Sequence, residues 1–223
     1  MARILVAAAA LLGGAGDNEL TEQEKADGWV LLWNGKDSEG WVDGAGAPVK
    51  AEALKDGTMN PQGLGGKMAY TKARYGNFVF SCDFKVSKGC NSGVFFRTAN
   101  LKDPVQTGFE VQVMDSAGKE KVGKHDCGSL YDIVAPSKNA SKPAGEWNRL
   151  EITANGPKVA IVLNGEKVVD CDLDQGTEPN KNPDGTKNKF KTPLKDFARE
   201  GHFGLQDHGH PVWYRNLKVK PLR

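Results

Sequence analysis

Between residues 78 and 86 the chain reads FVFSCDFKV, with Phe78, Phe80, Cys82, Phe84 and Val86 on one parity and Ser81, Asp83 and Lys85 on the other. A period of two is the mark of a β-strand that turns one face to a core, and a helix would scatter both sets around its axis. Further extended runs follow the same grammar. Trp147 to Thr153, Lys158 to Leu163 and Glu166 to Cys171 are separated by Asn155-Gly156-Pro157 and Asn164-Gly165, and Asn-Gly between apolar runs is the strongest short hairpin signal. Ser92 to Arg97 returns after the turn Lys88-Gly89-Cys90-Asn91. Trp29 to Trp33, Lys50 to Leu54, Thr58 to Met59, Met68 to Thr71, His202 to Leu205 and Val212 to Val219 are the other expected strands. With 27 Gly and 11 Pro in the chain, many of them between these runs, the chain reads as all-β, most simply a two-sheet sandwich occupying residues 28–223 as one domain. Helical periodicity is confined to 17–27, a short helix or linker, and 174–199 reads as a long polar surface loop beside the site.

The charge balance, 30 Lys+Arg against 28 Asp+Glu with no long block of either sign, leaves no electrostatic footprint for nucleic acid. Residues 1–16, MARILVAAAALLGGAG, combine an early Arg, the apolar run Ile4 to Leu12 and small residues after it. That is the pattern of a secretory signal peptide, and the run is too short for a bilayer span, which takes roughly 20 residues. The expectation is a periplasmic or extracellular protein with no membrane span. In such a compartment Cys82, Cys90, Cys127 and Cys171 meet oxidising conditions, with three complete pairings open. Cys82 is in phase with the phenylalanines and reads as a core thiol; Cys90 and Cys127, in Gly-flanked loops, are the favoured pair if any bridges. No CxxC or HxxxH spacing accompanies them, so no zinc site is expected.

The segment Gly108 to Ser116, GFEVQVMDS, carries the chemistry. Alternation puts Glu110 and Gln112 on one face and Val111 and Val113 on the other. Asp115 falls off that phase, and a β-bulge near Met114 would return its carboxyl to the polar face. In the preceding strand Gly93, Phe95 and Arg97 share a face, which makes Arg97 a candidate for the same polar surface, against its reading as an ordinary solvated cation. Carboxylates and an amide on one sheet face suggest sugar chemistry.

The segments GWVLLWNGKDSEGW, NSGVFFR, GFEVQVMDS, GSLYDIVAPSKNASKPAGEWN and GHFGLQDHGHPVWYRNLKV, in that order from Gly28 to Val219, resemble the 3-keto-disaccharide hydrolase domain family. The resemblance implies a concanavalin-like jelly roll, related to the glucanases whose site strand reads E-x-D-x-x-E. Here Glu110, Gln112 and Asp115 stand at those offsets. Gln112 in place of the central Asp speaks against an ordinary retaining glycosidase, which needs carboxyl groups about 5 Å apart.

The chemistry the family name implies asks for less. A ketone at sugar C3 acidifies the C2 proton; a base removes it, the enolate expels the C1 substituent, and water adds back. The site must supply a base, a stabiliser for the enolate oxygen and help for the leaving group. On this reading Glu110 or His208 is the base, Arg97 faces the C3 oxygen, and Gln112, Asp115, Asp207, Gln206 and Asn91 hold hydroxyls. Tyr131 donates or stacks, and His125 and Asp126 border the site as rim residues. Trp41, Trp147 and Trp213 are either sugar platforms or core. No cofactor motif is evident; a divalent cation would suit the enolate, but no ligand set can be read for one. The chemistry implies an upstream sugar 3-oxidoreductase. The competing classes are a lectin-like binding module on the same sandwich and a conventional glucanase.

Overall fold

The structure is a computed structural model and describes residues 16–65 and 68–223. The expected export signal, apart from Gly16, lies outside the described residues. The chain begins with α1 (Glu22–Ala26), held by a reciprocal cap in which the Thr21 hydroxyl accepts from the Glu24 N–H and the Glu24 carboxylate accepts from the Thr21 N–H. Strands follow as β1 (Val30–Leu31), β2 (Trp41–Asp43), β3 (Leu54–Lys55), β4 (Thr58–Met59), β5 (Met68–Thr71), β6 (Phe78–Val86) and β7 (Asn91–Thr98). After the short helix α2 (Pro104–Thr107) come β8 (Phe109–Met114), β9 (Trp147–Asn155), β10 (Lys158–Leu163), β11 (Glu166–Asp172), β12 (His202–Gln206) and β13 (Val212–Pro221).

An eight-stranded sheet runs β11-β10-β9-β6-β13-β4-β3, with β1 also on β13, and a five-stranded sheet runs β2-β5-β12-β7-β8. The two antiparallel sheets form a jelly-roll sandwich. Two expected strands are shorter than their sequences suggested. Residues 51–53 make a 3-10 turn before β3, and the Trp29 to Trp33 run pairs only through β1 because Trp33 turns inward and its indole N–H donates to Asp37 O at 2.7 Å.

The inner faces meet in an aromatic core. From β6, Phe78 and Phe80 stand 4.7 and 4.6 Å from Phe203 of β12, ring centroid to centroid, and Phe96 packs on Phe109 at 5.5 Å. Such pairs add about 0.5–1.5 kcal/mol each beyond their buried area. β9 and β10 alternate buried and partly exposed positions, as half-buried strands should. β7 and β8 do not: both faces of each are buried along nearly the whole length. Phe95 is 1% exposed yet lies outside the main core cluster, so a second layer roofs the outer face of this sheet. The segment 174–199 instead joins the core between the sheets. It reads as a polar surface loop, but Phe190, Leu194 and Phe197 are buried, and Phe197 reaches Phe109 at 4.9 Å.

Candidate active site

Under the roof a row of residues crosses the five-stranded sheet: Tyr70 opposite Gly204, Gly204 opposite Phe95, and Phe95 opposite Glu110. Two residues along, on the same face, Gly93 stands opposite Gln112. Glycine is needed in this floor. A β-carbon on Gly93 would stand 2.2 Å from Glu110 Oε1, and one on Gly204 would stand 2.9 Å from the Tyr70 ring. The bare backbone at Gly93 therefore lets the Glu110 side chain lie across β7.

Residues 128–131 pair along the free edge of β8 by main-chain bonds. Gly128 N–H donates to Gln112 O at 2.9 Å, Gln112 N–H to Ser129 O at 3.1 Å and Tyr131 N–H to Glu110 O at 2.8 Å. The following loop carries Asp132, which holds a left-handed backbone (φ 60°) and accepts from Lys189 N–H at 2.8 Å. The Gln106 amide in α2 completes the clamp, donating to Lys189 O and accepting from Lys191 N–H, both at 3.0 Å. With its backbone fixed at both ends of the residue, Lys189 places its Nζ 4.0 Å from the centre of the Tyr131 ring. His125 packs on the other members of this group, its ring 4.7 Å from Tyr131 and its Nε2 3.0 Å from Asp132 Oδ1.

Burial and charge oppose each other here. Glu110 is 8% exposed, and loss of water pushes its carboxyl up to about 7, against the pull of the Lys189 ammonium. The same loss of water lowers Lys189, with Glu110 and Asp132 acting to restore its charge. The Tyr131 hydroxyl is raised, first by burial and then by the Glu110 and Asp132 carboxylates. Gln112 donates through Nε2 to Asn91 Oδ1 at 2.7 Å, while its Oε1 is buried with no partner among the described residues. An unmet buried acceptor costs about 1–3 kcal/mol, and a ligand hydroxyl would relieve it. A carboxyl poised near neutrality, a partly desolvated ammonium and an amide awaiting a donor suit proton abstraction with stabilisation of a developing oxyanion. Among the described residues no three His, Cys, Asp or Glu side chains converge as metal ligands.

The profile of the 3-keto-alpha-glucoside-1,2-lyase-like domain family matches residues 28–220. The chain belongs to this family. A Bacteroides thetaiotaomicron protein named 3-keto-disaccharide hydrolase is 29% identical over 230 aligned residues, covering 88% of this chain and 79% of that protein. Two crystal structures of Parabacteroides distasonis proteins named as suspected glycosyl hydrolases are each 30% identical. One superposes with a TM-score of 0.77 over 87% of this chain and 99% of its own, the other with 0.76 over 93% and 100%. The family and the named relatives make this a carbohydrate-active, hydrolase-type protein.

Within this family member the expected site residues divide. Glu110, Gln112, Asn91 and Tyr131 come together as described, and Gln206 and Asp207 border a neighbouring hollow beside Tyr70 and Met68. Arg97 does not join them. Between the pairs Gly204/Phe95 and His202/Thr98, β7 holds one residue more than β12, and Arg97 takes a left-handed φ of 52°. This bulge breaks the alternation. The Arg97 guanidinium donates to Gly76 O at 2.9 Å and Gly156 O at 2.8 Å, tying the turns before β6 and after β9. Asp115 is also elsewhere, because β8 ends at Met114 with its pairing to β7 in unbroken register. Its Oδ2 accepts from Gly89 N–H at 2.9 Å, which stabilises the β6–β7 turn. His208 is exposed on the β12–β13 loop. Asp126 is bound to Lys119, whereas His125, expected at the rim, touches Tyr131 directly.

Trp41 is fully buried, while Trp147 and Trp213 lie half-exposed on the eight-stranded sheet. All four cysteines are buried free thiols; Cys90 and Cys127, read as loop residues, are raised by burial to about 11 and about 12. Lys189, Asp132 and Gln106 were not singled out by sequence. For Lys189 the only signal was that 174–199 is longer than a plain connection needs. No helix of the described residues is long and apolar enough to cross a membrane.

Proposed function

We propose that this protein cleaves the glycosidic bond of 3-keto-glycosides or 3-keto-disaccharides by elimination and hydration at the Glu110 face. The observation that carries the reading is the pairing of a buried carboxyl poised at about 7 with the Lys189 ammonium, over a glycine floor. Glu110 as carboxylate takes the C2 proton; the C2–H electron pair forms the enolate, whose C3 oxygen carries the charge. Lys189 stabilises that oxygen, the role the sequence resemblance suggests for Arg97. The enolate then re-forms the ketone, the C1–O bond breaks, and the C1=C2 double bond forms. The departing oxygen takes a proton from Tyr131 or from the newly protonated Glu110. Water adds at C1 and a proton returns to C2, so the net change is hydrolysis.

Gln112, through its unpaired Oε1, accepts a sugar hydroxyl and sets the ring on the floor. The amide of Gln112, standing where a carboxylate would be needed beside Glu110, favours this route over double-displacement hydrolysis, which needs a second carboxylate. His208, the alternative base, has no comparable burial. Export through residues 1–16 belongs to the same reading, as does an upstream oxidoreductase that installs the C3 ketone.

The test is release of aglycone from a 3-keto-glucoside and, in parallel, from the unoxidised glucoside. Release from the keto substrate alone, lost in Glu110→Gln, is the expected result. Release from the plain glucoside, or full activity in Glu110→Gln, overturns it.

A further inference from the structure

The opposite side of the sandwich carries a second hollow, of about 500 Å³, over the outer face of the eight-stranded sheet. Its floor is set by register. Lys85 of β6 stands between Trp147 of β9 and Trp213 of β13, each directly opposite it on the neighbouring strand. The Lys85 ammonium lies 5.0 Å from the Trp147 ring centre and 4.9 Å from that of Trp213. Neighbouring strands are about 4.8 Å apart, so the two indoles are roughly 10 Å apart, the width of about two sugar rings. Both tryptophans are half-exposed and line the hollow, with Asn34 and Thr58 at its wall.

The charges lining the hollow are unequal, with Lys36, Lys85 and Arg215 set against Asp17 and Asp56. Arg215, stacked 4.0 Å over Trp147, is matched by Asp17 at 2.6 Å. Lys85 has no carboxylate within ion-pair distance among the described residues, although Asp83 and Arg149 in the next row pair with each other at 3.3 Å. A half-buried ammonium held by two indoles and left without a counter-ion supplies a fixed positive charge beside an aromatic platform. Indole faces receive the C–H side of a pyranose, amide and hydroxyl groups at the wall receive its hydroxyls, and the ammonium receives a carboxylate.

We infer that this hollow is a second saccharide site, separate from the Glu110 face, and that it takes an acidic sugar whose carboxylate pairs with Lys85 while its ring lies on Trp213. The inference is independent of the reaction assigned to Glu110, because the two sites lie on opposite sheets. It gives the protein a means of holding an acidic glycan while the other face works.

The test is calorimetric titration of the full chain with trigalacturonate, and with maltotriose as the neutral counterpart. Trigalacturonate is expected to bind the wild type and Glu110→Gln equally, to bind Lys85→Gln at least tenfold more weakly, and to lose measurable binding in Trp213→Ala. Turnover at the Glu110 face should be unchanged in Lys85→Gln. Lys85 is partly exposed, so its replacement keeps the test valid even if the tryptophan variant folds poorly. Absence of trigalacturonate binding, equal binding by Lys85→Gln, loss of binding in Glu110→Gln, or equally tight binding of maltotriose each overturns the inference.

Discussion

Glu110 Oε1 occupies space that a β-carbon on Gly93 would need, the two positions lying 2.2 Å apart. The strand facing the carboxylate is thus part of its positioning. Gly93→Ala is expected to displace the whole Glu110 side chain, because Cδ and Cγ are also within 2.8 Å of the added atom. Misplacing a catalytic group by about 1 Å can cost about 100-fold. Steady-state kinetics on a 3-keto-glucoside should show that loss in turnover, with a cooperative melting transition retained; unchanged turnover would remove Gly93 from the site.

The carboxyl of Glu110 should leave a mark on stability as well as on rate. Its pKa rises from 4.5 to about 7 on folding, so the folded state holds the proton more tightly than the unfolded one. Stability is therefore expected to fall as pH rises from about 4.5 to about 7 and then to level off. Glu110→Gln removes that cost. Thermal melts should show the variant gaining up to roughly 3 kcal/mol over wild type at pH 8 and little at pH 4. Over the same range the wild-type rate should climb through about 7 as the base ionises. A flat rate profile there would take the base role from Glu110.

Lys189 opposes the burial of Glu110, so its loss moves that carboxyl further up. Lys189→Met is expected to shift the acid limb of the rate profile to higher pH and to lower turnover by about 10²-fold, the usual cost of an oxyanion partner. The pH shift separates this role from simple packing. An unshifted limb would place Lys189 too far from Glu110 to matter.

Arg97 should behave in the opposite way. Arg97→Ala leaves Gly76 O and Gly156 O without their donor in a fully buried position. The expected loss is about 3 kcal/mol, read as a melting temperature lower by roughly 6–12 °C for a chain of this size. Turnover per folded molecule should be unchanged. A stable but inactive variant would return Arg97 to the chemistry.

What could be read from the sequence was whatever obeys a period of two. Glu110 and Gln112 share a face because nothing interrupts β8 between them, and the phenylalanines of β6 point inward for the same reason. Arg97 was misread because one extra residue in β7 shifts the phase after Phe95, a backbone event that leaves no mark in SGVFFR. Asp115 was misread because a strand end and a bulge look alike in sequence. Lys189 had no local signal, since its place depends on Gln106 and Asp132, which lie 83 and 57 residues away along the chain.

The first described residues are bound to the eight-stranded sheet and not to the Glu110 side. Asn18 and Asn216 exchange bonds, Asn18 N–H to Asn216 Oδ1 at 2.6 Å and Asn216 N–H to Asn18 Oδ1 at 2.9 Å, and Glu24 of α1 is paired with Lys218. Anything joined ahead of Asp17, whether an anchor, a linker or a fused partner, would grip the molecule by its back. The Glu110 face would then look outward, free to meet a substrate too large to diffuse into a crowded surface.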